Sequence, residues 1–540
     1  MNDPRRCPLC TAAPYFVATG VQNKMSEATA ALFDAAPAKS KTPRWIVTVA
    51  VMAATTMQSL DSTIANVALP RMQGELSASQ DQMGWVLTSY IVAAAIMIPL
   101  AGWLANAIGK RTVLLASIVI FTAASLLCGM VTTLPELVFA RFLQGVGGAA
   151  LVPLSQAVLF DINEPKDFSR AMAMWGGAAQ IGSVGGPALG GWLTEHLTWR
   201  WVFYINLPIG ILAFLGLLGL QERPLPPRSR FDVMGFATLS IAVAALQVML
   251  DRGQQLDWFS SKEIITEAII SGVCFYVFAI HMFTADKPFL NPALFKDANF
   301  LASTVFIFLI GIVMFATLAL LPPMMQNEMD YPVLLTGLVT APRGIGVVAG
   351  MVVVGRLLKV ANVQTVIAAG LLIVALSLWQ MTRFSPDMTY GPLVVSGLIQ
   401  GFGIAIVYIP LSATAFSTLD PVLRNEGAAL FSLMRNIGSS TGISVVLFLL
   451  VRNTQTMHAS LTALVRTPST DPTSVAIAAR VDPTANHSLA AIDAAINHQA
   501  AFVAYLDDFK LMMIATLATL PFVLLLRSGK TVASGHAVMD

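Results

Sequence analysis

The chain has 540 residues, of which 56% are hydrophobic and only 11% are charged, and its mean hydropathy is +0.71. One soluble core cannot bury this much apolar surface, so the composition excludes an ordinary soluble protein and indicates a chain embedded in lipid. The formal net charge is +2, and no surface segment combines a basic stripe with interleaved aromatic residues, which argues against nucleic acid or an acidic partner.

The N-terminal 44 residues are polar and lack the apolar core of a cleaved signal peptide, so 1–44 is predicted to be a cytoplasmic tail. Met25 is an alternative start to Met1. Cys7 and Cys10 form a single CxxC without a second pair, and the six histidines lie at segment edges or in loops. We therefore predict no metal site.

Apolar stretches long enough for a helix to cross about 30 Å of hydrocarbon recur along the rest of the chain, separated by short polar gaps. They predict an all-α integral membrane protein with 14 transmembrane helices. The predicted spans are 45–67, 83–105, 112–131, 135–158, 170–193, 199–220, 232–250, 264–284, 299–321, 334–354, 363–381, 391–415, 427–451 and 510–526.

A sequence motif of the first half of the chain is repeated in the second half. The run from Gln144 to Ser155 is echoed from Gln400 to Ser412, and Ile181-Gly182-Ser183 is echoed by Ile437-Gly438-Ser439. Both pairs begin 256 positions apart, which indicates one duplicated unit. Spans one to six are then repeated as nine to fourteen, and seven and eight are an inserted pair. This 6+2+6 arrangement of two pseudo-symmetric six-helix bundles around a central cavity is typical of secondary transporters.

The repeat also predicts the domain boundaries and the orientation. We expect an N-terminal bundle at 45–220, a linker with two inserted helices at 221–298, a C-terminal bundle at 299–526 and a cytoplasmic tail at 527–540. Lysine and arginine concentrate in one set of alternate loops, which places that set and both termini in the cytoplasm. The enriched set holds Lys110, Arg111, Lys166, Arg170, Arg223, Arg228, Arg230, Lys287, Lys296, Arg356, Lys359 and Arg424.

The connection at 452–509 is the exception to the short loops, and it is predicted to face the periplasm. Leu489, Ile492, Ile496, Ala500 and Val503 recur at helical spacing, so the latter part is expected to form an amphipathic helix. An external cap and a docking surface for a partner both remain open as its function.

Placing a charged side chain inside a membrane span costs at least about 2.5 kcal/mol. Each such residue therefore needs a partner, contact with water or a function. Asp61 is the only carboxylate well inside any span, and Arg141 in the fourth span is expected at a similar depth. An aspartate that gains and loses an arginine as the bundles move would couple proton binding to conformation. A static pair that only orients two helices is the alternative. In the second half, Val313 takes the position of the acid.

Further polar residues are predicted to line the substrate cavity: Gln58, Asn66, Gln144, Arg343, Gln400 and Arg435. The two arginines would favour anionic or weakly acidic substrates, or they would instead bond to neighbouring carbonyls and helix ends. One interior acid against three interior arginines argues against a pocket for dications.

Glycines in the fifth span recur on one helical face at Gly182, Gly186 and Gly190, with Pro187 and Gly191 beside them. This pattern permits close helix contact and a bend, so a hinge and simple tight packing both fit it. The segment Gly529-Lys530-Thr531 lacks the upstream glycine of a phosphate-binding loop. The chain is therefore predicted to use an ion gradient or passive transport, and not to be an enzyme.

Several motifs together resemble the drug:proton antiporter-2 family of the major facilitator superfamily, of the EmrB/QacA type. The similarity covers about residues 40–530. The motifs that carry it are Leu60 to Pro70, Arg141 to Gly145, Gly182 to Gly191, Trp199 to Gly210, and His498-Gln499-Ala500 with Asp508-Phe509.

The resemblance implies proton-coupled efflux of hydrophobic or amphipathic drug-like molecules, with Asp61 and Arg141 in proton coupling, Gly182 to Gly191 as the antiporter motif, and no cofactor besides protons. It also implies a bacterial inner-membrane location and, as partners, a periplasmic adaptor and an outer-membrane channel. The gating loop departs from the family pattern. It contains Gly102, Gly109, Lys110 and Arg111, but Asn106 stands where an aspartate is usual.

We therefore expect a multidrug exporter driven by drug:proton antiport. Two other functions remain open at this stage. One is a metabolite exporter of narrow specificity on the same fold, and the other is a membrane receptor or scaffold that uses the 452–509 loop.

Overall fold

The structure is a computed structural model that describes residues 43–78, 80–164, 167–221, 231–358, 360–420, 423–466 and 486–526. A few side chains inside these ranges, including that of Asn66, are outside the described part. The Cys7–Cys10 pair, Met25, the segment 529–531 and most of both predicted tails also lie outside the described residues.

Helices make up nearly all of the described chain, and no β-strand occurs within it. The N-terminal bundle consists of α1 Arg44–Glu75, α2 Gln80–Ile108, α3 Lys110–Met130, α4 Leu134–Gly148, α5 Leu151–Ile162, α6 Phe168–His196, α7 Trp201–Tyr204 and α8 Asn206–Leu217. Two connecting helices follow, α9 Val233–Arg252 and α10 Lys262–Thr284. The C-terminal bundle consists of α11 Ala298–Asn327, α12 Val333–Thr340, α13 Pro342–Leu357, α14 Val363–Met381, α15 Tyr390–Ser417, α16 Arg424–Arg466 and α17 Asn486–Ala518.

Within the described residues, 10 helical segments are long and apolar enough to cross a membrane. The chain is thus a multi-pass membrane protein. Four other parts predicted to span, those containing α1, α6, α7 with α8, and α17, are not among the 10. Polar side chains and glycines lower the mean hydropathy of α1 and α6, and α8 is only 12 residues long.

The sixth predicted span is divided at Ile205 into α7 and α8, and two other predicted single spans are also interrupted. The fourth is divided at Ala149 and Ala150 into α4 and α5, because glycines precede the break and Pro153 lacks the amide that would continue the hydrogen-bond ladder. The tenth is divided at Ala341, directly before Pro342 at the start of α13. Both breaks leave two helices stacked end to end.

The predicted loop at 452–509 is largely helical. Helix α16 has 43 residues and continues to Arg466, and α17 has 33 residues and begins at Asn486. The latter part forms a helix, and this helix is continuous with the last predicted span and not a separate element. The connection at 467–485 lies outside the described residues.

Glycine allows the closest helix contacts in each bundle. A Cβ atom added to Gly182 would lie 2.6 Å from the Thr56 carbonyl oxygen of α1, and one added to Gly186 would lie 2.1 Å from Thr63 Oγ1. The equivalent contacts of α16 on α11 occur at Gly438 and Gly442, where a Cβ would lie 2.3–2.4 Å from carbonyl oxygens. Both pairs are 256 positions apart, so the structure repeats the sequence interval, and the expected tight packing is confirmed.

The bundles also contact each other through α6 and α13. Here Gly177 approaches the side chain of Met351, whose Sδ would lie 3.1 Å from an added Cβ. This contact involves a flexible side chain, whereas the contacts of α6 on α1 and of α16 on α11 include backbone carbonyl oxygens.

Helix α9 contacts both bundles. Asp251 accepts a hydrogen bond from Thr88 of α2, and Gln247 donates to Ser440 of α16 at 2.6 Å. At its other end, Asp232 caps the helix by accepting from the Gly235 amide at 2.9 Å. Burial alone would raise the pKa of Asp232, but hydrogen bonds from Gly235, His281 and Phe289 hold that pKa below its ordinary value of 3.8.

Candidate functional site

The structure brings Asp61 of α1 and Arg141 of α4 into direct contact inside the N-terminal bundle. Arg141 Nη1 lies 2.7 Å from Asp61 Oδ2, and the two side chains are 1% and 0% exposed. The pair follows from the depth of both residues along antiparallel helices. Because neither group reaches solvent, each depends on the other and on nearby polar atoms for stability.

Three neutral side chains complete the cluster. Gln144 Nε2 donates to Asp61 Oδ1 at 2.7 Å, and Asn206 Nδ2 donates to the same oxygen at 2.9 Å. Ser125 Oγ of α3 accepts from both amides, at 2.7 and 3.2 Å. Four elements of the bundle, α1, α3, α4 and α8, therefore meet at one carboxylate.

Arg141 has further contacts that fix its position. It donates to Gln144 Oε1 at 2.7 Å and from Nε to the Val86 carbonyl at 3.2 Å, and its guanidinium carbon lies 4.4 Å from the ring centroid of Tyr90. Tyr90 OH in turn accepts from Gln58 Nε2 at 3.1 Å.

Gln58 also lines a cavity between the two bundles. This cavity is small, and Arg435 of α16 lies among its lining residues. Arg435 is the only charged residue among the residues that line it. Its Nη1 donates to Tyr408 OH at 3.4 Å, and its buried Nε has no hydrogen-bond partner within the described residues. The lining is Gln58, Ala94, Ile98, Gly148, Ala149, Val152, Pro153, Ser432, Arg435 and Asn436.

Of the other residues predicted for the cavity, Gln144, Arg343 and Gln400 lie elsewhere. Gln144 belongs to the Asp61 cluster. Arg343 is buried in the C-terminal bundle and donates to the Met314 carbonyl at 3.3 Å. This contact agrees with the alternative in which the arginine bonds to a neighbouring carbonyl group. Gln400 lines a second cavity between α11, α14, α15 and the end of α17, and donates to Thr317 at 3.2 Å. The side chain of Asn66 is outside the described residues.

The gating loop joins the bundles at the end predicted to be cytoplasmic. Asn106 Nδ2 donates to Glu426 Oε1 at 3.3 Å and Asn106 Oδ1 accepts from Asn425, so α2 is held against the start of α16. A Cβ at Gly102 would lie 3.0 Å from the Asn425 carbonyl oxygen. Gly109 has a φ of 98°, a conformation that favours glycine.

The basic residues of this loop bind within the N-terminal bundle. Lys110 pairs with Asp161, and Arg111 donates to the Leu218 carbonyl. They stabilise the loop and do not cross to the other bundle in this structure. The contact between bundles is thus carried by amide groups where the family usually has an aspartate.

Sequence reasoning missed Asn206. A neutral amide costs less to bury in an apolar span than a charge does, so Asn206 did not stand out beyond its place in the motif from Trp199 to Gly210. The available signal was its position two residues before Pro208 at the start of an apolar segment, where its side chain can turn into the bundle.

Comparison with known proteins agrees with this architecture. Residues 51–443 match the family profile of the Major Facilitator Superfamily. The chain is 36% identical over 422 residues to the multidrug export protein EmrB of Escherichia coli (strain K12), covering 77% of this chain and 82% of that protein. It is also 36% identical over 415 residues to the fatty acid resistance protein FarB of Neisseria gonorrhoeae, with 76% and 82% coverage.

A solved structure shows the same fold at lower identity. The crystal structure of the human organic anion transporter MFSD10 (TETRAN) superposes with a TM-score of 0.54 and 14% identity, over 88% of this chain and all of that one. This similarity concerns the fold alone.

Two helical bundles around a cavity, a buried ion pair in one of them and the family match define a transporter and not an enzyme. The chain belongs to the Major Facilitator Superfamily. Within it the chain is a multidrug permease of the EmrB type, as its identity of 32–36% to EmrB proteins over 77% of its length shows.

Proposed function

We propose that this permease exports its substrates by exchange for protons, as a secondary active antiporter without a cofactor. The observation that supports this most directly is the buried Asp61–Arg141 pair with its closed hydrogen-bond cluster. An ionisable group at such depth is a strong indicator of a proton or ion pathway. Asp61 is the group that would take up and release the proton.

The proposed cycle has two alternating states of one carboxyl group. When Asp61 is ionised, Arg141, Gln144 and Asn206 stabilise its charge, as the geometry here allows. When Asp61 takes a proton from outside, the guanidinium loses its counter-charge and the donors lose an acceptor of full negative charge. The contacts through Tyr90 and Gln58 would then pass the change to the cavity, where substrate binds in exchange.

The proposed topology has 14 spans in a 6+2+6 arrangement, with both termini cytoplasmic and the chain in the bacterial inner membrane. Support comes from the glycine contacts that recur at an interval of 256 residues, and from the order of elements along the chain, in which α9 and α10 stand between the two bundles. The bias of lysine and arginine among the loops supports the orientation.

The substrate class is proposed from the cavity between the bundles. Its walls combine apolar side chains with polar groups, and they contain one cation, Arg435, and no acid among the lining residues. Such a lining favours amphipathic molecules that are neutral or weakly acidic over dications. The name of the Neisseria relative, a fatty acid resistance protein, is consistent with an amphipathic acid. Arg435→Gln should weaken export of weak acids more than export of neutral compounds, whereas Arg435→Lys should retain both.

A periplasmic adaptor and an outer-membrane channel are the proposed partners. With 43 residues, α16 is about 65 Å long, roughly twice the thickness of the hydrocarbon. Its outer end projects beyond the bilayer together with the start of α17, and His458 and Asp493 join the two at 3.0 Å. This rigid projection offers a surface on which an adaptor could dock.

Transport in inverted membrane vesicles tests the proposal. Under an imposed proton gradient, wild type should accumulate a fluorescent hydrophobic drug and release protons when drug is added. Asp61→Asn should lose both signals while its amount in the membrane is unchanged. Asp387→Asn, which changes an exposed aspartate in an outer connection, is the matched control. Proton-linked accumulation by Asp61→Asn at the wild-type rate would refute the assignment.

A further inference from the structure

A second buried acid lies in the C-terminal bundle, and the function proposed above does not use it. Asp508 of α17 is 0% exposed, and neither carboxyl oxygen has a hydrogen-bond partner within the described residues. Asp61, by contrast, accepts three hydrogen bonds and faces an arginine. A buried carboxyl without such support is unusual, because most buried polar groups are hydrogen-bonded.

The surroundings of Asp508 contain acids and one histidine, and no cation is paired with it. From its own helix, Asp507 is exposed, and Tyr505 lies within electrostatic range of both Asp508 and Glu328. Glu328, at the end of α11, lies 3.5 Å from His498 Nε2. Burial raises the pKa of Glu328, and the nearby His498 partly offsets this increase.

The other two helices packed against this part of α17 bring no arginine or lysine to the group. From α14 the contact is aromatic, between Phe384 and Phe509 with ring centroids 6.3 Å apart. From α16, His458 pairs with Asp493 of α17. Asp493 lies about four helical turns from Asp508, toward the outer end of α17. Within the described chain, Asp508 therefore forms no ion pair.

Asp508 lies on the face of α17 that leads to the second cavity. Met512, one turn further, has its sulfur 3.8 Å from Thr317 Oγ1, and Thr516, two turns further, lines the cavity with Gln400. The sequence repeat aligns Gln400 with Gln144 and Val313 with Asp61. The cavity thus occupies the position of the Asp61 cluster in the other bundle, and Asp508 lies about 12 Å from it toward the outside.

These placements define the chemistry of the group. Ionised in this setting, Asp508 would carry a negative charge with neither water nor a cation, so the neutral acid is the stable form. We propose that Asp508 is a second proton-binding carboxyl of this transporter, neutral in the closed arrangement and ionised when movement of α17 against α11 admits water from the outer side. Its role in transport rests on the function proposed above, but the binding of the proton does not.

Infrared spectroscopy of the full-length protein in lipid nanodiscs, without substrate, tests the proton directly. At neutral pH the wild type should show the carbonyl band of a protonated carboxyl that Asp508→Asn lacks. Asp507→Asn, which changes the exposed neighbour, should retain it. Asp508→Glu should restore a protonated band at a shifted position, which would show that the loss in the asparagine variant is not a failure to fold.

The expected second result is that this band disappears as the pH is raised and during turnover driven by substrate. An unchanged band in Asp508→Asn would overturn the proposal. Loss of the wild-type band on addition of Mg²⁺ or Ca²⁺ at constant pH would also overturn it, in favour of a cation site. Because the presence of the band and its dependence on pH are measured without substrate, and drug:proton exchange is tested at Asp61, failure of one proposal is distinguishable from failure of the other.

Discussion

Removing Arg141 should destabilise the fold more than removing any other single arginine of the described bundle interiors. In Arg141→Gln, the guanidinium contacts to Asp61, Gln144 and the Val86 carbonyl are lost. Asp61 stays buried with two amide donors but without a counter-charge. Breaking a buried pair by removing one partner costs about 3–5 kcal/mol, because the remaining charge is uncompensated. We expect a loss of that size in the free energy of unfolding.

The double variant separates the ion pair from general damage to the site. Asp61→Asn with Arg141→Gln leaves two neutral amides, which can bond to each other and to Gln144, so no charge remains buried. Its cost should be at least about 2 kcal/mol below the sum of the two single changes. Unfolding by sodium dodecyl sulfate in mixed micelles gives the free energies, and vesicle transport should be absent in all three variants.

Arg343→Gln is the matched control. This arginine is equally buried, but its recorded partner is the Met314 carbonyl. Its loss should cost about 1–3 kcal/mol and should add to the cost of Asp61→Asn without coupling. Additive costs for Asp61 and Arg141 as well would show that the pair has no energetic coupling and would refute the reasoning.

Three further changes have expected outcomes. Gly182→Ala places a methyl group against an α1 carbonyl and should cost about 1–3 kcal/mol, whereas Gly185→Ala, with nothing within 4 Å, should be tolerated in a thermal-shift assay. Asp232→Ala should cost about 0.5–2 kcal/mol through the lost cap. Because the pKa of Asp232 is lowered on folding, its contribution is present above pH 3.8 and is lost as the pH falls through the lowered pKa, so wild type and variant should converge in acid. Asn106→Ala removes hydrogen bonds to Asn425 and Glu426, each worth about 0.5–1.5 kcal/mol, and should speed labelling of a cavity cysteine from the cytoplasmic side several-fold. Unchanged labelling would show that these bonds do not hold the cavity closed.

Much of the site could be predicted because charges in lipid are rare. Counting residues along two spans was enough to expect Asp61 and Arg141 at a similar depth, since helix rise is fixed and few other charges compete. The glycine spacing of α6 likewise indicated a close contact with another helix. Both features depend on periodicity within a single helix, which the sequence displays directly.

The partners of the ion pair were harder to predict, because they depend on how separate helices rotate against each other. Gln144 was expected in the substrate cavity, but its helix turns it toward Asp61. Asn206 and Ser125 come from two further helices, and no spacing within the sequence relates them. The break between α4 and α5 was also missed, since its alanines are good helix formers and the interruption arises from neighbouring glycines and a proline.

The contact of Gly177 with Met351 has a mechanical consequence for the whole molecule. Methionine has a flexible thioether side chain that can change rotamer and still fill the same space. The backbone contacts between α1 and α6, and between α11 and α16, have no such tolerance. At this contact, relative rotation of the bundles meets a deformable side chain, whereas each glycine-packed helix pair within a bundle moves as one body. Gly337 of α12 brings the bundles together at backbone atoms of Ala188 as well. A covalent cross-link between α6 and α13 should arrest the cycle, and one between α1 and α6 should leave it running.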